Sequence, residues 1–202
     1  MRDAGNIGEV AELGPDFMGF IFYERSPRYV GENFILPELP PAIQKTGVFV
    51  KAPAAHVARL AGKYGLEVVQ LHSDESPEYC AEMKNAGLKV VKAFSVGADF
   101  DFEQVKAFEE KADYFLFDTK GDGYGGHGTS FDWSLLSDYR GMTPFLVAGG
   151  ISNANVHKLL QINHPLFYGI DVNSRYEIAP GMKDPEALRA LFLKLKTTPG
   201  KM

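Results

Sequence analysis

The chain has 202 residues, a formal net charge of −5 and a single cysteine, Cys80. Its pI of about 5.6 and the lack of any Lys/Arg run exclude the electrostatic signature of a nucleic-acid-binding protein. No apolar window approaches the ~20 residues of a membrane span, and the first ten residues do not resemble a secretory signal. One cysteine excludes an intramolecular disulfide, so we expect a cytoplasmic globular protein.

Apolar runs of strand length alternate with helical segments from one end of the chain to the other. The pattern predicts seven strands, at 17–23, 46–50, 66–72, 88–96, 114–118, 143–150 and 166–172. It predicts helices at 3–13, 53–64, 76–86, 101–111, shortly after Asp132, from Ser152 or Asn153 to about 162, and at 185–196. Segment 32–43 contains three prolines and is at best a poor helix.

Strands that are apolar throughout and alternate with helices indicate a parallel sheet covered on its outer face. We therefore predict an α/β fold, a TIM (β/α)8-type barrel in one domain spanning 1–196, with a flexible tail at 197–202. Such a barrel has eight strands, and the chain begins with a helix, so the strand not seen would precede residue 3. An open doubly wound sheet is the alternative.

One stretch places a carboxylate where barrel enzymes hold their catalytic groups. The apolar run 114–117 ends in Asp118, and the segment from Gly121 to Gly128 that follows contains five glycines. A carboxylate at a strand tip under a glycine-rich cover is typical of a barrel active site. A buried strand followed by an ordinary surface loop would show the same sequence pattern.

Two loops carry the features of a phosphate site. In barrels of this kind phosphate is often bound after strands seven and eight, which here are the loops containing Gly149 and Gly150 and containing Asn173 and Ser174. Glycines let backbone N–H groups approach an anion, and the start of the following helix is electropositive. A simple strand-to-helix turn also favours Gly and Ser, so both interpretations remain open.

Other polar groups also lie at strand ends. Gln70 and His72 are alternate residues of one strand and so share a face, and we predict that both bind the substrate. On its own pattern His72 is either a ligand contact or a hydrogen-bonded rim residue. Arg28 could pair with a substrate carboxylate through its planar fork, or it could be a solvated surface arginine. The histidines show no metal-ligand spacing with Cys80, which we expect in the core. We predict no metal and no cofactor.

Seven separated motifs together resemble phosphoribosylanthranilate isomerases, barrel enzymes of tryptophan biosynthesis. The resemblance covers about 1–196 and preserves the order and spacing of the motifs in that family. The motifs are GFIFYERSPRYV (19–30), TGVFV (46–50), VVQLH (68–72), FDTK (117–120), GGHGTSFDW (125–133), AGGISNANV (148–156) and GIDVNSRYEIAPGMKD (169–184).

The resemblance implies a metal-free Amadori rearrangement of N-(5-phosphoribosyl)anthranilate to a carboxyphenylamino-deoxyribulose phosphate. It assigns the general acid to Asp118 and contact with the anthranilate part to Arg28. It assigns phosphate binding to the loops of Gly149 and Gly150 and of Asn173 and Ser174. The predicted partner is this small phosphosugar substrate, with neither nucleic acid nor membrane.

The chain departs from the family in one respect. The family's general base is a cysteine in a Lys-x-Cys-Gly motif that ends the first strand, and that motif is absent here. Cys80 falls in a predicted helix and cannot replace it. We therefore expect a truncated chain with impaired or no activity, whose gap could be covered by a second copy in a homo-oligomer.

Two other functions stay open at this stage. A barrel that binds a phosphate ligand without catalysis would explain the absent cysteine, although it would not need the acid Asp118. Another sugar-phosphate enzyme, such as a histidine-pathway isomerase or an indole-glycerol-phosphate synthase, would be expected to show an Asp or a Lys base in other strands. The Arg28 loop favours an anthranilate substrate over these.

Overall fold

A computed structural model describes residues 1–119 and 131–196. Seven parallel strands form its main sheet, each paired with the strand that follows it in the chain. The strands are β1 (Phe17–Ile21), β2 (Gln44–Phe49), β3 (Val68–Leu71), β4 (Lys89–Val96), β5 (Tyr114–Thr119), β6 (Phe145–Val147) and β7 (Phe167–Ile170).

The order of these strands decides between the two predicted architectures. A doubly wound sheet reverses its strand order at a switch point, whereas here the order β1 to β7 never reverses. The strands instead form a curled half-barrel, with β1 and β7 as its edges in the described part of the chain. The barrel-type prediction is therefore confirmed, and the doubly wound alternative is wrong.

Helices connect most of the strands on the outer face. They are α1 (Ala4–Ala11), α2 (Ala54–Tyr64), α3 (Pro77–Asn85), α4 (Val156–Leu159) and α5 (Pro185–Lys196), with 3₁₀ helices at Phe102–Phe108, Trp133–Asp138 and Ser174–Tyr176. Side chains cap several of them as expected. Asp3 accepts from the backbone N–H of Asn6, Ser76 from that of Tyr79, and Gly65 ends α2 in the left-handed conformation.

The strands separate two apolar layers because successive side chains point to opposite faces. The inner face of the sheet carries small and branched residues, among them Val91, Leu116 and Ala148. The outer face packs larger groups, such as Phe115 and Phe117, under the helices. The inner layer therefore leaves room for a cavity, and the outer layer fixes the strand ends that surround it.

Three predicted helices are shorter or tighter than expected. The segment predicted as a helix at 101–111 is the 3₁₀ helix Phe102–Phe108, and Asp132 likewise caps a 3₁₀ helix. The helix predicted to reach residue 162 is only the single turn α4. Side-chain bonds compete with the helix there, because Asn155 accepts from the backbone N–H of Ser152 and donates to the carbonyl of Gly150.

An antiparallel hairpin that the sequence analysis did not predict follows β7. Its strands are β8 (Glu177–Ala179) and β9 (Met182–Lys183), joined through Gly181, which has a positive φ of 81°. The hairpin lies against α1, since the Asn6 amide donates to the Lys183 carbonyl and accepts from the Lys183 backbone N–H. The structure also shows no helix in segment 32–43, and none of its helices, within 1–119 and 131–196, is long and apolar enough to span a membrane.

Candidate active site

The ends of β3 and β5 bring three predicted residues together. The side-chain amide nitrogen of Gln70 lies 2.9 Å from His72 Nδ1, and His72 Nε2 lies 3.2 Å from Asp118 Oδ2. Because an amide nitrogen only donates, Nδ1 accepts in this contact and the neutral ring carries its hydrogen on Nε2. His72 therefore donates to Asp118 and is a hydrogen-bond partner of the candidate acid.

The Asp118 carboxylate is accessible although it is hydrogen-bonded. Its Oδ1 accepts from the backbone N–H of Thr119 at 2.8 Å, and its side chain is 17% exposed. Asp118 and His72 line a cavity of about 620 Å³, whose lining also includes residues of the sheet, of the loops after its strands and of helices α1 and α5. A carboxylate that is fixed on both oxygens and still reaches a cavity is suited to act on a ligand.

A second carboxyl group, Asp171, lines the same cavity and was not singled out in the sequence analysis. It follows β7, and its backbone N–H donates to the Val147 carbonyl at 2.8 Å. Burial raises the pKa of Asp171, and the negative charge of Asp118 raises it further, against smaller opposing effects of His72, Lys183 and Gln70. Asp118 was predicted because it lies at the end of an apolar strand, and Asp171 meets the same criterion.

The four residues predicted to bind phosphate all line the cavity, and they follow the neighbouring strands β6 and β7. Gly149 and Gly150 both have positive φ, 88° and 64°, which favours glycine at these positions. Asn173 accepts a hydrogen bond from the Lys183 ammonium, and Ser174 begins a 3₁₀ helix. The predicted support from a helix dipole is wrong, because the helix after Gly150 begins only at residue 156 and makes a single turn.

Arg28 also lines the cavity, but a protein carboxylate already occupies part of its guanidinium. Arg28 Nε lies 2.9 Å and 3.1 Å from the two oxygens of Glu177, and Nη2 lies 2.8 Å from Glu177 Oε2. The two side chains are only 13% and 4% exposed. The structure therefore excludes a solvated surface arginine.

Glu177 is the centre of a buried charge cluster. Besides Arg28 it accepts from Lys183 Nζ at 3.1 Å and from the backbone N–H of Gly181 at 3.0 Å. Burial alone would raise the pKa of Glu177, but these donors outweigh burial and hold its pKa below the usual value. Burial lowers the pKa of Lys183, opposed chiefly by the charge of Glu177. The sequence offered no signal for this cluster.

A buried ion pair supports the loop that follows His72. Lys92 on β4 points outward, where its ammonium contacts Glu75 Oε2 at 3.2 Å and the Ser73 carbonyl. Glu75 also accepts from the backbone N–H groups of Lys51 at 3.0 Å and Ser73 at 2.9 Å. The pair thus joins the loops after β2 and β3 to the sheet.

Three further predictions concern the cysteine, the glycine-rich segment and metal binding. Cys80 is fully buried in α3, and burial raises its pKa to about 11, which confirms a core cysteine rather than a reactive one. The glycine-rich segment from Gly121 to Gly128 lies outside the described residues. In the part that is described, no three His, Cys, Asp or Glu side chains are placed to hold a metal ion.

Comparison with known proteins identifies the family. Residues 1–194 match the profile of N-(5'-phosphoribosyl)anthranilate isomerases. The chain is 45% identical over 193 residues to the enzyme of that name from Parabacteroides distasonis, covering 94% of this chain and 87% of the relative. It is 43% identical over 197 residues to the one from Phocaeicola vulgatus, covering 97% and 95%.

Solved structures agree with this assignment. The phosphoribosyl anthranilate isomerase of Thermus thermophilus superposes with a TM-score of 0.80 at 29% identity, covering 98% of this chain and 96% of that one. Another structure of such an isomerase, in complex with reduced 1-(o-carboxyphenylamino)-1-deoxyribulose 5-phosphate, gives 0.79 at 28% identity, covering 97% and 95%. The chain belongs to the N-(5'-phosphoribosyl)anthranilate isomerase family.

Proposed function

We propose that this protein catalyses the Amadori rearrangement of N-(5-phosphoribosyl)anthranilate to 1-(2-carboxyphenylamino)-1-deoxyribulose 5-phosphate. The observation that carries the proposal is the position of Asp118. Its carboxylate lies at the end of β5, hydrogen-bonded to His72, in a cavity that also contains an arginine and two glycine- or serine-bearing loops. These groups suit the three parts of the substrate, which are a sugar ring, a carboxylate and a phosphate.

The substrate's two anionic ends fix its orientation in this proposal. The phosphate binds the wall formed by Gly149, Gly150, Asn173 and Ser174, where glycine backbone allows close approach. The anthranilate carboxylate binds Arg28, whose planar fork matches a carboxylate. The furanose ring then lies between the two ends, in the part of the cavity that contains Asp118.

Asp118 acts as the general acid. It donates a proton to the ring oxygen, the bond from that oxygen to C1′ breaks, and the anthranilate nitrogen and C1′ form a protonated imine. Removal of the proton at C2′ then gives the enamine, which tautomerises to the ketone. His72 Nε2–H donates to the Asp118 carboxylate, so it stabilises the charge left on Asp118 once the proton has gone.

The group that removes the C2′ proton is assigned by family resemblance to the cysteine of a Lys-x-Cys-Gly motif, which is not among the 202 residues. A barrel that only binds a phosphate ligand is the competing function. Such a protein would have no use for a hydrogen-bonded acid beside the sugar position. Turnover and binding therefore have to be measured separately.

The test uses freshly generated substrate and follows product formation by chromatography. We expect Asp118→Asn to lower kcat by at least about a hundredfold while the Kd for the reduced product analogue changes only a few-fold. Asp132→Asn is the matched control, because Asp132 is an aspartate that caps a 3₁₀ helix and is not part of the cavity lining. Full activity of Asp118→Asn would overturn the role of Asp118, and binding of the analogue without any turnover by the unmodified protein would favour the competing binding function.

A further inference from the structure

We infer that Glu177 is a positioning residue, which holds the Arg28 guanidinium in the orientation that receives the substrate carboxylate. The inference deepens the proposed function and rests on it for the identity of the ligand. Glu177 itself need not touch the substrate. It acts through Arg28, and the structure shows how.

The contact between the two side chains uses one edge of the arginine fork. Both Glu177 oxygens face Nε, at 2.9 Å and 3.1 Å, and Oε2 also faces Nη2, at 2.8 Å. A guanidinium has a second edge, formed by Nη1 and Nη2, which can pair with another carboxylate. Because Glu177 occupies the first edge, a ligand carboxylate meets an arginine that is already fixed and loses little rotamer freedom on binding.

Glu177 is itself held by groups that belong to the scaffold. Lys183 Nζ and the backbone N–H of Gly181 donate to it at 3.1 Å and 3.0 Å. The backbone of Lys183 is fixed in turn by the Asn6 side chain. Asn6 accepts from the Lys183 N–H at 2.7 Å and donates to the Lys183 carbonyl at 2.9 Å. Arg28 therefore depends on a chain of bonds that ends on α1.

The charges of the cluster also suit a single carboxylate. Of the three side chains in direct contact, Arg28 and Lys183 are cationic and Glu177 is anionic, so these three together are positive. The carboxylate of Glu177 is 4% exposed, and a buried charge is stable only with partners of this kind. Without Glu177, two cations would lie close together, and Arg28 would have no partner to fix its rotamer.

The test compares two ligands by titration calorimetry. The reduced product analogue carries a carboxylate, and ribose 5-phosphate does not. In Glu177→Gln, which keeps the shape but not the charge, we expect the Kd of the analogue and the KM to rise about tenfold, kcat to stay within threefold, and the Kd of ribose 5-phosphate to stay within twofold. Glu177→Asp, which keeps the charge, should recover part of the loss.

A double-mutant cycle separates positioning from a purely structural role. In an Arg28→Ala background, Glu177→Gln should no longer change the Kd of the analogue, because there is no guanidinium left to position. Asp74→Asn is the control, since it removes the exposed Lys51–Asp74 ion pair and should leave both ligands unaffected. Thermal unfolding shows whether each variant is folded. If Glu177→Gln does not fold, the same binding comparison is made with Glu177→Asp.

The inference is overturned if Glu177→Gln leaves the Kd of the analogue unchanged, if its effect is equally large without Arg28, or if ribose 5-phosphate is weakened to the same extent. These binding results do not depend on turnover. A failure of Asp118-dependent catalysis would thus overturn the proposed function and leave the role of Glu177 standing.

Discussion

Gly149 lies in direct contact with Thr119, the residue after the proposed general acid. A Cβ atom at position 149 would lie only 2.7 Å from the Thr119 backbone nitrogen, and Gly149 has a φ of 88°. We expect Gly149→Ala to lower the free energy of unfolding by about 2–4 kcal/mol through steric overlap and backbone strain. It should also displace Asp118 and reduce kcat. Urea denaturation and turnover measure the two effects.

Gly62→Ala is the matched control for that change. Gly62 lies inside α2, and beyond the neighbouring backbone of the helix no atom lies within 4 Å of a Cβ placed there. Alanine favours the helix over glycine, so we expect Gly62→Ala to raise the free energy of unfolding by about 0.5–1 kcal/mol. If both variants were equally destabilised, the close approach of Gly149 to Thr119 would not explain the first result.

The Lys92–Glu75 ion pair should be costly to break from one side. Both side chains are almost fully buried, 2% and 4% exposed, so Lys92→Met leaves an unpaired buried carboxylate. We expect a loss of about 3–5 kcal/mol in the free energy of unfolding. The double variant Lys92→Met/Glu75→Gln should recover part of it, because it removes the charge. Lys106→Met, at an exposed pair with Glu103, should have little effect on urea denaturation.

Asp171 should make stability depend on pH in a defined direction. Burial, together with the charge of Asp118, raises its pKa in the folded state, so the folded state retains this proton to higher pH than the unfolded chain does. Stability from this group is therefore fully present below the unfolded pKa and is lost as pH rises through the folded pKa. Asp171→Asn abolishes this loss.

The expected result is a free energy of unfolding for Asp171→Asn that increases relative to the unmodified protein from pH 4 to pH 8. Urea denaturation across this range measures the difference. A difference that stays constant or shrinks as pH rises would show that Asp171 ionises normally in the folded protein.

Arg28→Ala should weaken binding selectively. We expect the Kd of the carboxylate-bearing analogue to rise about ten- to a hundredfold through loss of a charge-assisted bidentate contact. Ribose 5-phosphate should bind within twofold of the unmodified protein. Arg25→Ala is the matched control, because Arg25 is exposed and does not line the cavity. Equal effects of the two variants on the analogue would contradict the role of Arg28.

The sequence predicted the order of the strands well because each strand is a local apolar run. The sequence predicted the wrong element where the local preference for helix or strand differs from the conformation that tertiary packing favours. The aromatic residues of the segment at 102–108 pack against β5, with Phe102 5.4 Å from Phe117 between ring centroids, and aromatic residues favour helices weakly. The β8–β9 hairpin was missed because its strands have only three and two residues.

The candidate site was predictable only where strand ends define it. Gln70, His72 and Asp118 follow from the rule that parallel strands present their last residues at one edge. Glu177 could not be found in this way, since its partner Arg28 is 149 residues away in the chain, and no local pattern reports such a contact.

The contacts that join the two edges of the curled sheet also bear on how the chain folds. Arg28 and Glu177 are 149 residues apart, and Asn6 and Lys183 are 177 apart, whereas each strand pairs with its immediate successor. Closing so long a loop costs more entropy than forming the neighbouring strand pairs. We therefore expect the strand pairs to form first and the ionic cluster last, so that Glu177→Gln speeds unfolding and leaves the folding rate nearly unchanged. The proposed site for the substrate carboxylate would then be the last part of the protein to form during folding.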